Sequence, residues 1–103
     1  MNQSLMKKIK QMQQEMLETQ QEIEQTEFTE SAGGVVTVTI NGMKHLLRVE
    51  IDENFTIEGP EDVEMLGDMI VAACNQAYRQ VEKLTEEKMS KYQALLGGMG
   101  SLF

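Results

Sequence analysis

GGVVTVTINGMKHLLRVEID, residues 33–52, carries the strongest pattern in the chain. Val36, Val38 and Ile40 alternate with Thr37 and Thr39; Leu47, Val49 and Ile51 alternate with Arg48 and Glu50. Alternation with a period of two is the mark of a half-buried strand. The pattern predicts strands over about 34–40 and 43–52, joined at Asn41-Gly42. That residue pair suits the two positive φ angles of a type I′ turn. A two-residue loop would place Ile40 opposite Met43, Val38 opposite His45, Val36 opposite Leu47 and Gly34 opposite Val49. One face of this hairpin is nearly all apolar, and an isolated hairpin is marginal in water. Other elements must cover it.

Working outward, residues 4–25 are rich in Gln, Glu, Lys and Met with no Gly or Pro, which predicts a helix. Leu5, Ile9, Met12, Met16, Thr19 and Ile23 recur in steps of four and three. This narrow stripe is the seam of a helix lying against another helix. TEFTES, residues 26–31, reads as a first strand, and Ala32-Gly33-Gly34 as the turn after it. Beyond Asp52 a polar connection leads to Pro60, well placed at the first position of a helix over about 60–96. Val63, Leu66, Ile70, Ala73, Ala77, Val81 and Leu84 form its apolar stripe, continuing more weakly through Tyr92 and Leu95. Gly97-Gly98 is expected to end it, leaving a mobile tail over 97–103. The expected fold is α+β in the order α-β-β-β-α, one domain over residues 1–103 with a three-stranded antiparallel meander between two long helices. Helices too long for the sheet between them predict a homodimer, which would bury the surplus apolar surface.

Composition narrows the function classes. The single cysteine, Cys74, excludes an intramolecular disulfide and a cysteine-based zinc site. The start MNQSLMKKIK lacks the apolar core of a secretory signal, and no apolar run is long enough to span a bilayer. A cytoplasmic protein without a membrane partner is expected. The net charge of −8 is unevenly spread: residues 1–14 hold three lysines and no acid, residues 15–30 six glutamates and no base, and residues 53–75 six acids and no base. In the hairpin region 31–52 Lys44 and Arg48 balance Glu50 and Asp52, and the second helix carries Arg79, Lys83, Lys88 and Lys91.

Catalytic chemistry finds little to work with. The one histidine, His45, falls on the apolar face of the expected hairpin, one step from the turn, and reads as a structural or partly exposed residue rather than a general base. Cys74 lies beside the helix stripe as a small apolar residue. Glu61, Asp62 and Glu64 complement the positive end of the second helix without a metal. Gly33-Gly34 lacks the lysine and following Ser or Thr of a phosphate-binding loop. No catalytic residue, metal, cofactor or small-molecule substrate is expected.

The Met/Gln-rich first helix, AGGVVTVTINGMKHLLRVEID, and an acidic start to a long Ala-containing helix together resemble the YbaB/EbfC family of bacterial nucleoid-associated proteins. The resemblance covers nearly the whole chain. Its most specific residues are Gly33-Gly34-Val35-Val36, Asn41-Gly42 and Val49-Glu50-Ile51-Asp52, and the Gly/Met/Leu-rich ending is similar. Glu53 departs from it, since many relatives carry Pro after the Ile-Asp. The resemblance implies a tweezer-shaped homodimer in the nucleoid that binds double-stranded DNA with little sequence preference, alters its conformation, and affects gene expression and DNA protection.

The residues themselves leave two readings open for Lys7, Lys8, Lys10, Arg79, Lys83, Lys88 and Lys91. They form no single stripe, and alone they read first as a solvated helix surface. If both helices project from the sheet, however, the basic ends lie far from the acidic middle and become candidates for phosphate contacts. The competing function is an acidic, Met-rich module that docks another protein and repels nucleic acid.

Overall fold

The structure is a computed structural model that describes residues 2–100, with side chains through Leu95. Its elements are α1 (Gln3–Gln25), β1 (Glu27–Ala32), β2 (Val36–Asn41), β3 (Leu46–Ile51) and α2 (Pro60–Gly100). The strands form an antiparallel meander in the order β1-β2-β3, the α+β arrangement expected from the sequence. Local chemistry sets the helix ends. The Asn2 side chain accepts from the Ser4 N–H at 2.9 Å and starts α1, while the Thr26 N–H donates to the Ile23 carbonyl as the chain leaves it. Pro60 opens α2, and the Asp62 carboxylate accepts from the Glu58 N–H at 2.8 Å. That bond gives one member of the acidic cluster a structural task.

The central hairpin departs from the expected geometry. Val36 meets Ile51, and Val38 meets Val49. The loop between the strands is longer than two residues. The Lys44 N–H donates to the Asn41 carbonyl at 2.9 Å, the Asn41 N–H donates to the His45 carbonyl at 3.1 Å, and Lys44 has φ 64°. This is the pattern of a three-residue loop with a left-handed last residue. Asn41 organises it by accepting from the N–H groups of Met43 and His45 at 2.9 and 3.0 Å. His45 is therefore exposed at the turn, not on the apolar face. Consecutive positive φ angles do occur, but at Gly33 (60°) and Gly34 (67°), between β1 and β2.

The apolar face survives this correction because Val36 shifts from Leu47 to Ile51, an even number of places, and side chains alternate every second residue. The register slips once, between Thr39 (opposite Arg48) and Ile40 (opposite Leu46), leaving Leu47 as the extra residue of a bulge. On the polar face Thr29 meets Thr39 at 3.1 Å and Ser31 meets Thr37 at 2.8 Å.

The core lies between β2 and the first half of α2. Val36, Val38 and Ile40 are fully buried against Ala73, Ala77 and Val81. The two alanines let the helix backbone approach the sheet, and Phe28, Ala32, Leu66, Met69 and Ile70 close the sides. Within the expected stripe of α2, Val63 and Leu95 are exposed while Tyr92 is buried. α2 lies over β1 and β2. All of β3 is exposed, Val49 at 39% and Ile51 at 46%.

α2 also runs past its expected end, continuing through Gly97-Gly98 to Gly100. Glycine disfavours a helix by about 1 kcal/mol per residue relative to alanine but does not forbid it. The remainder of the expected tail, residues 101–103, lies outside the described residues. At the usual rise α2 is about 60 Å long, and the molecule measures 72 × 22 × 15 Å.

Gly42 has a different task from the one its sequence suggests. The end of α1 rests on the hairpin turn, where the Gly42 N–H donates to the Glu24 carbonyl at 3.2 Å. A Cβ at this position would fall on the Ile23 carbonyl group. We expect Gly42→Ala to lower unfolding free energy by about 1–3 kcal/mol through this clash. Gly34→Ala, with open space around it, should cost about 1–2 kcal/mol from its positive φ alone. Urea unfolding measures both; a Gly42→Ala midpoint equal to wild type would show that α1 does not need this contact.

Candidate nucleic-acid interface

Beyond the sheet, α1 and the second half of α2 pair as an antiparallel arm. Ile23 is buried at its root, beside the hairpin turn. Along the seam Ile9, Met12, Met16 and Thr19 are half-buried, as their spacing predicts, whereas Leu5 near the outer end is exposed. Tyr92 is only 3% exposed, and its phenol oxygen lies 3.4 Å from the Thr19 hydroxyl across the seam. The antiparallel pairing carries the start of α1 to the far end of α2. Lys8 and Lys91 line one cleft there, with Met12, Glu15 and Tyr92 between them.

The seven basic candidates fall into two groups. Lys7, Lys8 and Lys10 are exposed on the first turns of α1, and Lys88 and Lys91 on the last part of α2. Lys7 and Lys10 flank a shallow patch with Gln3 and Met6. The Lys91 ammonium sits 4.8 Å from the centre of the Tyr92 ring, a cation–π distance. Arg79 and Lys83 are exposed as well, but they flank Val81 at the core. Arg79 lies about 18 Å down the helix axis from Lys91. The structure brings Lys7, Lys8, Lys10 and Lys91 to the outer part of the arm and leaves Arg79 and Lys83 near the root, with Lys88 about 7.5 Å along the axis from Lys83.

Charge follows the same division. Residues 1–14 and 88–103 contain five lysines and no Asp or Glu. In the body, the basic residues of the hairpin are occupied by neighbours: Lys44 pairs with Glu82 at 3.0 Å, and Arg48 with Glu27 and Glu50 at 3.2 and 3.7 Å. Among the described residues, none of the seven candidates takes part in an ion pair. Nor, among those residues, do three His, Cys, Asp or Glu side chains gather where they could hold a metal. No helix of the described residues is long and apolar enough to cross a membrane.

Two features of the arm were not singled out in the sequence: the Thr19–Tyr92 contact and the stacking of Lys91 on Tyr92. A polar residue on one apolar seam and a phenol on the facing one were the available signal. In the sequence each falls within its stripe and nothing sets it apart.

A model of the YbaB/EbfC DNA-binding family matches residues 1–97. The chain is 45% identical over 97 residues to a nucleoid-associated protein of Clostridium novyi (strain NT), covering 93% of this chain and 81% of that one. It is 42% identical over 96 residues to a nucleoid-associated protein of Agathobacter rectalis, covering 92% and 83%. A crystal structure of an uncharacterized protein from Helicobacter pylori superposes with a TM-score of 0.65 at 27% identity, covering 92% of this chain and 98% of that one. These names describe nucleoid association and DNA binding, not catalysis. The basic arm and the match over residues 1–97 lead to one conclusion: the chain belongs to the YbaB/EbfC DNA-binding family.

Proposed function

We propose that the protein binds duplex DNA as a homodimer through the outer ends of its helical arms, with little sequence preference, and alters the conformation of the duplex within the nucleoid. The observation that carries this reading is the arm end, where Lys7, Lys8, Lys10 and Lys91 stand exposed, Glu15 is the one carboxylate lining the Lys8–Lys91 cleft, and none of these lysines takes part in an ion pair among the described residues. Lysine on a helix surface offers a point charge to phosphate and reads no base, so the binding is general. The acidic stretches 15–30 and 53–75 repel a duplex from the rest of the molecule and confine contact to the ends.

The dimer reading rests on β3. Its free edge carries Leu46, Leu47, Val49 and Ile51, all exposed, with Val63 and Val71 of α2 exposed as well. An open, apolar edge strand is a template for pairing with another chain, and a second copy offers an identical surface that closes by two-fold symmetry. Two arms would then project from one body. The Arg79 and Lys83 side chains, nearer the root, serve as secondary phosphate contacts in this arrangement.

Titration of labelled random-sequence duplex should show affinity falling steeply between 50 and 200 mM salt. Replacing Lys7, Lys8 and Lys10 by Glu should weaken binding equally for unrelated sequences and reduce the slope of log affinity against log salt by about 3 for each arm engaged. Unchanged binding by a folded triple variant would overturn the assignment of those lysines. Absence of binding by wild type at either salt concentration would favour a protein-docking role instead.

Sedimentation equilibrium should return about twice the 11.7 kDa chain mass. The double substitution Val49→Asp with Ile51→Asp should yield monomers with much weaker DNA affinity. A monomeric wild type at micromolar concentration would refute the dimer.

A further inference from the structure

We infer that Tyr92 is a positioning residue for the DNA-binding arm, fixing the register of α1 against α2 so that lysines from both helices face one duplex. The inference rests on the DNA reading above and adds a residue that touches no DNA. The arm is held by a narrow seam. Along α1, Met12, Met16 and Thr19 are only half-buried, and sliding one methionine past another costs little because the side chain is flexible. Tyr92 differs from them: beyond Val81 it is the one buried side chain of α2 up to Leu95. Its ring is buried in the seam, and among the described residues its hydroxyl has one partner, Thr19, at 3.4 Å. A slip of one turn, about 5.4 Å, would part the hydroxyls and push the ring out of the seam.

The same ring controls where the charges stand. Lys91 lies over it at 4.8 Å, which favours a side-chain arrangement that would otherwise be free in solvent. Lys8 borders the cleft in which Tyr92 and Lys91 meet. One aromatic residue thus links a lysine of α2 to a lysine of α1. Glu15 lines the same cleft, so the register also decides whether a carboxylate or a lysine lies closest to Lys91.

The test uses the full chain and three forms: wild type, Tyr92→Phe and Tyr92→Ala. Amide hydrogen exchange, read without DNA, should accelerate at least tenfold through α1 in Tyr92→Ala while β2 stays protected. Duplex titration across salt should show a tenfold or greater loss of affinity for Tyr92→Ala and a salt slope flatter by about 1–2, as Lys8 and Lys91 cease to act together. Tyr92→Phe, which keeps the ring beneath Lys91, should retain the wild-type slope and lie within threefold in affinity. Unchanged exchange in α1 of Tyr92→Ala overturns the inference, because the ring then holds no register. Faster exchange with an unchanged salt slope also overturns it, because the ring then stabilises the arm without placing its charges. Wild type that binds no duplex overturns the DNA reading itself, a result separate from exchange in α1, which alone then decides whether Tyr92 holds the register.

Discussion

The packing of β2 on α2 is the constraint on which the rest of the molecule depends. Val36, Val38 and Ile40 meet Ala73, Ala77 and Val81 with no remaining solvent access beyond a trace at Val81. Full burial of such aliphatic side chains is worth about 1.5–3 kcal/mol each, and the small alanines make the approach possible. This contact fixes the direction in which α2 leaves the sheet. It also centres α2 over β1 and β2 and leaves β3 without cover. One interaction therefore settles both where the arm points and which surface is open to another chain.

The end of α1 completes the frame. Glycine at position 42 allows the helix terminus to lie directly on the turn between β2 and β3. Here the sequence was legible and its reason was not. Asn41-Gly42 correctly marks the turn, but the glycine serves a neighbour distant in the chain, and local turn preferences carry no information about such a neighbour. The pattern of alternation identified the strands and their faces because parity survives an even shift. It could not set the register, since Lys44 takes the left-handed conformation and Leu47 bulges. Likewise Gly97-Gly98 resembles a stop signal but lies within α2, since glycine in a helix is a modest cost rather than a barrier.

The arm was legible in outline for a related reason. Steps of four and three in α1 announced a narrow seam, and the seam exists. What a helical wheel cannot show is which turn of one helix lies beside which turn of the other. Lys8 and Lys91 are 83 positions apart in the chain and border one cleft only because the helices run antiparallel from a common root. Arg79 and Lys83 share that helix with Lys91, yet the core contact at Val81 keeps them by the body. Sequence grouped basic residues by element; the structure groups them by distance from the sheet.

The continuity of α2 has a mechanical consequence. A single helix, Pro60–Gly100, is both a wall of the core and a strut of the arm, with no proline inside it to act as a hinge. From Val81 to the last turn is about 28 Å, so a tilt of about 10° at the sheet carries the far end through about 5 Å. That displacement exceeds the axial step of about 3.4 Å between successive phosphates of one strand. In the proposed dimer, leverage of this kind would make the span between two arms a sensitive function of how two sheets meet. Small substitutions on β3, far from the lysines of the arm end, would then tune the gauge of the proposed clamp.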